Sequence, residues 1–412
     1  MILPIPTQPL YYAAPAELTF TALVTQVEVG PSGSNRVALS ASAFYPEGGG
    51  QNADVGDLTW AGGEAQVTDT QKDKADKASG VIWHTLSGDV PEVGAAVRGV
   101  VDARTRWHNM QRHSGEHLLA QAFFRLDSRF AVAAVGMRNA ECTIDLAGQP
   151  TDADAQAAET LLRETLGRTP LKLRTVEVPE TELARYPLRR STKVTGTVRL
   201  VIFEAETGAA DGPLFFDVSA CGGLHVPWAA MAGPVTVLRT ERIKGGLTRV
   251  VFMAGEAAAE RLADTYQAAR ALAATFSAGP SDLTARVEAL RSSQRDGEAQ
   301  RSALRSALLR HDLAAAPVEE LGAWRLRVLS LTDPASLPIA LSAVPAGEVL
   351  LVTAPGGKVG LGTPPGLHAG EVLRQALAVS GGQGGGKPDV AQGQTPDPDG
   401  LLRALRAALT AS

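Results

Sequence analysis

The chain has 412 residues, 44% of them hydrophobic and 20% charged, with a formal net charge of −5. That is the balance of a soluble globular protein of roughly two to four domains, and no apolar run approaches the roughly 18–20 residues of a membrane span. Two cysteines exclude a disulfide framework, and Met1-Ile2-Leu3-Pro4-Ile5-Pro6 lacks the basic and apolar regions of a secretory signal, so a reducing, cytoplasmic setting is expected.

Residues 17–29 alternate as a strand, with Leu18, Phe20, Ala22 and Val24 on one face. Val27 and Val29 fall out of phase, so a bulge is expected near Thr25-Gln26. Val37-Ala38-Leu39 is a short strand, and Leu58–Trp60 and Ala65–Val67 form a hairpin about Gly62-Gly63. A charged loop from Lys72 to Lys77 leads to Val81–His84, and Val97–Asp102 closes the set. Short strands with glycine turns predict a small β-barrel over residues 1–100. A helix is expected from Asp102 to Leu126, with Trp107, Met110, Leu118 and Gln121 centring one face and His113 and His117 at its edge.

Cys142–Leu146, Leu171–Val176, Val198–Phe203 and Leu214–Val218 read as strands and 152–167 as a helix, an α+β domain over 101–255. Two helices parted by Gly279-Pro280 fill 256–312 as a helical hairpin. Gln294, Gly297 and Arg301 interrupt the leucine seam and argue against a long coiled coil. Residues 313–412 form a last α/β domain, with strands around Val328 and at Val349–Val352 and a terminal helix from Leu401 to Leu409.

Two histidines four apart on a helix lie one turn above each other, so His113 and His117 can reach one metal ion. His113-x-x-Glu116-His117 also fits the inverted zinc-peptidase pattern, in which the glutamate activates water, but no downstream glutamate stands out as a third ligand. Cys221-Gly222-Gly223-Leu224-His225 offers instead a complete set of His, His, Cys and His, which suits zinc. Cys221 has a blander reading, as a small buried hydrophobe or a partner for Cys142.

Phe44-Tyr45-Pro46-Glu47-Gly48-Gly49-Gly50-Gln51 is a glycine-rich hairpin, or a place where bare main chain meets a ligand while Gln51 offers an amide donor and acceptor. Gly381-x-x-x-x-Gly386-Lys387 nearly spells a phosphate-binding loop. Pro388 supplies neither the hydroxyl nor the N–H that such a loop needs, which excludes a nucleotide triphosphatase and leaves a linker or a loop for an RNA phosphate. Arg185, Arg189, Arg190, Lys193 and Arg199 before the cysteine loop, and Arg239, Arg242, Lys244 and Arg249 after it, are solvated faces or a local polyanion contact.

Together these segments resemble the editing and C-terminal parts of the alanyl-tRNA synthetase family. Phe44 to Gln51, the His113/His117 pair with Leu118-Leu119, and Cys221-Gly222-Gly223-x-His225-Val226 occur in the family's order. Lys244-Gly245-Gly246 and Arg249-Val250 extend the likeness, and Gly381 to Gln392 with Lys387 looks like the glycine-rich signature of its DHH-associated domain. With the barrel starting near Met1, the chain looks like a free-standing editing protein of the long AlaX kind.

The resemblance implies hydrolysis of mischarged tRNA(Ala), carrying serine first and glycine second, at a Zn²⁺ site and without ATP; the alternatives are the zinc peptidase and a non-enzymatic tRNA-binding module with structural zinc. A pocket for alanine rejects an isostere that merely adds a hydroxyl by only about 10²-fold, so a second site must read that hydroxyl. By the family pattern Ser42 faces the amino acid, with Gln51 as the other polar contact. Glu116 is a candidate base, although the helix angle sets it about 60–100° from the two histidines and the family does not require an acid there. Gly48, Gly49, Gly50, Arg190, Lys244 and Lys387 are the candidate substrate contacts, and residues 313–412 are expected to add tRNA affinity and a homodimer contact. Leu224 stands where the family usually has threonine, which bears on substrate preference.

Overall fold

The computed structural model describes residues 5–30, 35–76, 78–205 and 214–411. Lys77 of the charged loop and the first four residues of the expected non-signal N-terminus lie outside them. The fold is mixed α+β with a closed six-stranded barrel, and the chain divides into two compact units, 1–271 and 272–412.

In the first unit the barrel strands are β1 (Thr19–Glu28), β2 (Asn35–Leu39), β3 (Gly56–Trp60), β4 (Gly63–Lys72), β5 (Ile82–Gly88) and β6 (Ala96–Val101). They close in the order β1-β2-β5-β4-β3-β6. The expected slip in β1 is there, as a register shift between Val24 and Gln26 against β2. Phe20, Val37, Leu39, Phe44, Leu58, Val67 and Leu86 fill the interior, each such burial being worth roughly 1.5–3 kcal/mol.

Helix α1 (Ala103–Leu126) follows at once, started by Asp102, whose side chain accepts from the Thr105 N–H. The sequence suggests one buried stripe, but every residue from His113 to Ala120 is buried, because the helix threads the middle of the unit. It packs on helix α2 (Asp152–Arg168) and on strands from two sheets. The first sheet contains β7 (Val132–Gly136) and β8 (Cys142–Leu146), and the second β9 (Lys172–Pro179), β10 (Thr197–Ala205) and β11 (Leu214–Ala220). Strands β12 (Val235–Ile243) and β13 (Leu247–Ala254) complete the first sheet in the order β12-β13-β8-β7. Gly115 lets β13 come this close: a Cβ there would lie 2.5 Å from the Ala254 Cβ. Helix α3 (Glu256–Thr275) leaves the sheets.

The second unit holds α4 (Leu283–Ala315), β14 (Val318–Leu321), β15 (Trp324–Ser330), α5 (Leu337–Ser342), β16 (Glu348–Ala354), β17 (Lys358–Gly362), α6 (Ala369–Ser380), β18 (Gln383–Gly386), β19 (Val390–Gln394) and α7 (Pro398–Thr410). Its six strands run in the order β14-β15-β16-β17-β19-β18. The glycine run expected as a linker or phosphate loop is instead the edge strand β18, paired antiparallel with β19. Its glycines admit helix α6 and the neighbouring strand: a Cβ on Gly384 would sit 2.6 Å from Leu377 Cδ1 and 2.7 Å from the Gln392 carbonyl. No helix among the described residues is long and apolar enough to cross a membrane.

Candidate metal centre and its cleft

His113 and His117 project from α1, while Cys221 and His225 come from the loop that follows β11. One ligand atom from each of the four lies within 4.8 Å of all the others. Cys221 Sγ is 3.4 Å from His113 Nε2 and 3.5 Å from His225 Nε2, close to the spacing of about 3.3–3.8 Å that tetrahedral zinc bonds require. The other nitrogen of each ring is tied down: His113 Nδ1 lies 2.9 Å from Gln51 Oε1, His117 Nδ1 3.0 Å from Asp217 Oδ2, and His225 Nδ1 3.2 Å from Ser114 Oγ. Such partners fix tautomer and ring direction at metal sites, and here they turn all three Nε2 atoms toward the sulfur. The donor set fits a divalent, borderline-soft ion.

The charges agree. Burial opposes a charge on His117, but Cys221, the Asp217 hydrogen bond and Glu116 outweigh it and raise its pKa to about 10. Burial pushes the Cys221 thiol up, yet His113 and His117 more than offset this and hold it well below its ordinary value. Burial, then the two neighbouring imidazoles, lowers His225 to about 3. The low-lying thiol favours the thiolate, the form in which cysteine binds a metal ion.

The ligand loop hangs by its carbonyls. Arg199 Nη1 donates to the Cys221 and Gly223 oxygens at 2.7 and 3.0 Å, and the Tyr12 and Tyr45 hydroxyls donate to the Gly222 oxygen at 3.0 and 3.2 Å. Gly223 is where backbone meets ring: a Cβ there would lie 2.0 Å from His113 Cε1. Tyr45 is itself fixed through its N–H to Asp54, which pairs with the buried Arg106 of α1 at 2.6 Å. Asp217 is fully engaged, bonded to His117, to Arg189 Nε at 3.0 Å and to Ser219. Burial pushes the Asp217 carboxyl up, but Arg189 and His117 prevail and keep it below the usual carboxylate range.

Beside the cluster opens a cleft of about 640 Å³, lined by His113, Glu116, His117 and Cys221, with Gly49 and Val135 on one wall and Arg189, Arg190 and Lys193 among the rim residues. Glu116 reaches it despite its helix angle, its Oε2 lying 3.8 Å from His117 Nε2. Gly49 and Gly50, at φ of 60° and 85°, form a two-residue turn closed by Gly48 and Gln51, so two of the three glycines answer to turn geometry.

The other expected contacts fall elsewhere. Ser42 is wholly buried, its hydroxyl donating to His84 Nε2 at 2.7 Å and accepting from the Phe44 N–H; it faces the barrel interior, away from the cleft lining. Gln51 is buried too, with Oε1 committed to His113 and to the Leu224 N–H, an acceptor already spent before any substrate arrives. Lys244 is exposed on the turn between β12 and β13, and Lys387 on the turn between β18 and β19 of the second unit. The side chain of Leu224 points into an apolar recess with Met110, Pro227 and Trp228. Sequence reading missed Asp217 and Tyr12, and gave Arg199 only as part of a solvated face or polyanion contact. The one available signal was an acid in an apolar strand, Phe215-Phe216-Asp217-Val218.

Residues 7–105 match the family model described as tRNA synthetases class II (A), and residues 338–411 match the DHHA1 domain. The alanine–tRNA ligase of Archaeoglobus fulgidus is 31% identical over 407 residues, covering 94% of this chain and 42% of the ligase. That of Pyrobaculum neutrophilum is 33% identical over 417 residues, covering 98% and 44%. Among solved structures, the C-Ala domain from Aquifex aeolicus alanyl-tRNA synthetase aligns at 25% identity with a TM-score of 0.21, over 23% of this chain and 98% of that domain. The chain thus spans less than half the length of the ligases it matches. By descent it belongs to the alanyl-tRNA synthetase-like family, and its C-terminal part is a DHHA1 domain.

Proposed function

We propose that the chain is an aminoacyl-tRNA deacylase that hydrolyses the ester of tRNA(Ala) mischarged with serine or glycine, acting in trans, in the cytoplasm and without ATP. The observation that carries this is the convergence of three imidazole Nε2 atoms and one thiolate at a cleft rimmed by Arg189, Arg190 and Lys193. Zinc held by His113, His117, Cys221 and His225 would order the cleft floor, and would supply Lewis acidity there only by taking the substrate or water as a fifth ligand. Arg190 and Lys193 bind the phosphates of the acceptor end, and the bare backbone of the Gly48–Gly50 turn forms the wall along which it lies. Gln51 holds His113 and the Leu224 amide in register, while Ser42 stiffens the start of the Phe44–Gln51 segment through its bond to the Phe44 N–H.

We assign four working parts: a barrel (1–100), a metal-binding part (101–255), a helical connection (256–312) and a tRNA-binding part (313–412) that also serves as a homodimer contact. Lys244 and Lys387 are phosphate contacts outside the cleft.

The test incubates the purified chain with Ser-tRNA(Ala), Gly-tRNA(Ala) and Ala-tRNA(Ala). Serine and glycine are released much faster than alanine, and Cys221→Ala abolishes both release and metal content. Equal or absent release from all three removes the proposal.

A further inference from the structure

Glu116 is an anomaly in its surroundings. It is 4% exposed, yet among the described residues its carboxylate takes part in no hydrogen bond, and its nearest charged neighbour, His117 Nε2, stands at 3.8 Å, beyond hydrogen-bonding range. The Glu116 oxygens are not sealed inside the protein; they open onto the cleft with no protein donor to meet them. Of the described residues lining the cleft it is the sole acid, facing a rim of Arg189, Arg190 and Lys193. Arg189 is already neutralised by Asp217, and the other two are exposed cations suited to phosphate. A phosphate-binding cleft gains nothing from an acid on its floor unless the bound molecule also brings a cation.

An aminoacyl ester does: its α-ammonium lies two bonds from the carbonyl under attack. Resting on the deacylase reading, we propose that Glu116 is the receptor for the substrate's α-ammonium group and makes the site selective for esters with a free amine. Position supports this. Residues 113, 116 and 117 project from one stretch of α1, so a group bonded to Glu116 is held beside the donor cluster and its ester carbonyl is presented to the cleft floor. A charge-assisted N–H···O bond satisfies both ions. The other side of the amino acid then meets Gly49 and Val135, where there is room for a short side chain.

The experiment compares three substrates: Ser-tRNA(Ala), its N-acetyl form, and glyceryl-tRNA(Ala), in which a hydroxyl replaces the amine at nearly equal size. Wild type and Glu116→Gln are assayed on each, with metal content measured alongside. The wild type is expected to favour the free amine over both analogues by about tenfold or more. Glu116→Gln raises KM for Ser-tRNA(Ala) by about tenfold, keeps kcat within a few-fold, erases the preference and retains its metal. A wild type that cleaves amine and hydroxyl substrates alike overturns the inference and leaves the deacylase reading intact. So does a variant whose kcat falls equally on both, which marks Glu116 as a base, or one that loses metal, which marks it as a ligand. Cleavage of none of the three by wild type overturns both.

Discussion

Asp217 Oδ2 sits 3.0 Å from His117 Nδ1, with the two side chains 0% and 5% exposed. The same carboxylate carries Arg189 on its other oxygen, so one buried acid links the cleft rim to a metal-ligand candidate. Asp217→Asn keeps the shape and removes the charge. Metal affinity is expected to fall about 10- to 100-fold, read by competition with a chelator. Stability should drop by about 1–3 kcal/mol as half-buried Arg189 loses its charged partner and keeps only neutral acceptors such as Ser219, read by urea unfolding. Unchanged metal affinity would take Asp217 out of the site.

Gly223→Ala places a methyl where the His113 ring is, at 2.0 Å from Cε1. Neither partner can yield, since His113 is held by Gln51 and the loop by Arg199. The variant is expected to fold, because the barrel and sheets are untouched, and to lose metal on dialysis. A full complement of metal by elemental analysis would refute this.

Leu224→Thr restores the residue usual in the family. Because the side chain is fully buried and points into the apolar recess, its hydroxyl would meet carbon rather than substrate. The expected result is a loss of about 1–3 kcal/mol of stability, with the ratio of serine to glycine release unchanged. A shift in that ratio would show that position 224 reads the substrate after all.

His84 supplies a pH dependence remote from the metal centre. Burial lowers its pKa to about 4, against a weaker opposing bond to the Val37 carbonyl. Between pH 6.5 and 4 the unfolded chain therefore binds a proton that the folded one refuses. Stability is full above pH 6.5 and declines as pH falls toward 4, by about 3 kcal/mol at 1.36 kcal/mol per unit. Urea midpoints of wild type and His84→Gln should converge across that window, the variant lacking this contribution to the slope; parallel curves would contradict it.

Much of this was legible from the chain alone, and the exceptions share a cause. The four donor residues declared themselves by type and spacing, and Asp102 marked the start of α1. What escaped was everything set by long-range neighbours. Tyr12 reaches the ligand loop from 210 residues away, and Arg199 from the neighbouring strand; no local pattern announces a phenol or guanidinium bound for those carbonyls. Ser42 was expected to face substrate, but His84, 42 residues on, claims its proton. Gly381 to Gly386 read as a linker or phosphate loop from their likeness to a phosphate-binding motif; the close approach of α6, invisible in the sequence, is what those glycines serve. Strands β12 and β13 went unread: β12 mixes charged and apolar residues without a clean alternation, and β13 ends in the continuous buried run Val250–Ala254, which shows no period-two pattern.

The suspension of Gly222 from Tyr12 and Tyr45 bears on how this architecture can be divided. All four candidate donors fall after residue 112, so a fragment beginning at α1 would carry the whole donor set. It would nonetheless lack both phenols and the Gln51 amide that aims His113. The N-terminal part is therefore scaffolding for the donor cluster, not a detachable accessory.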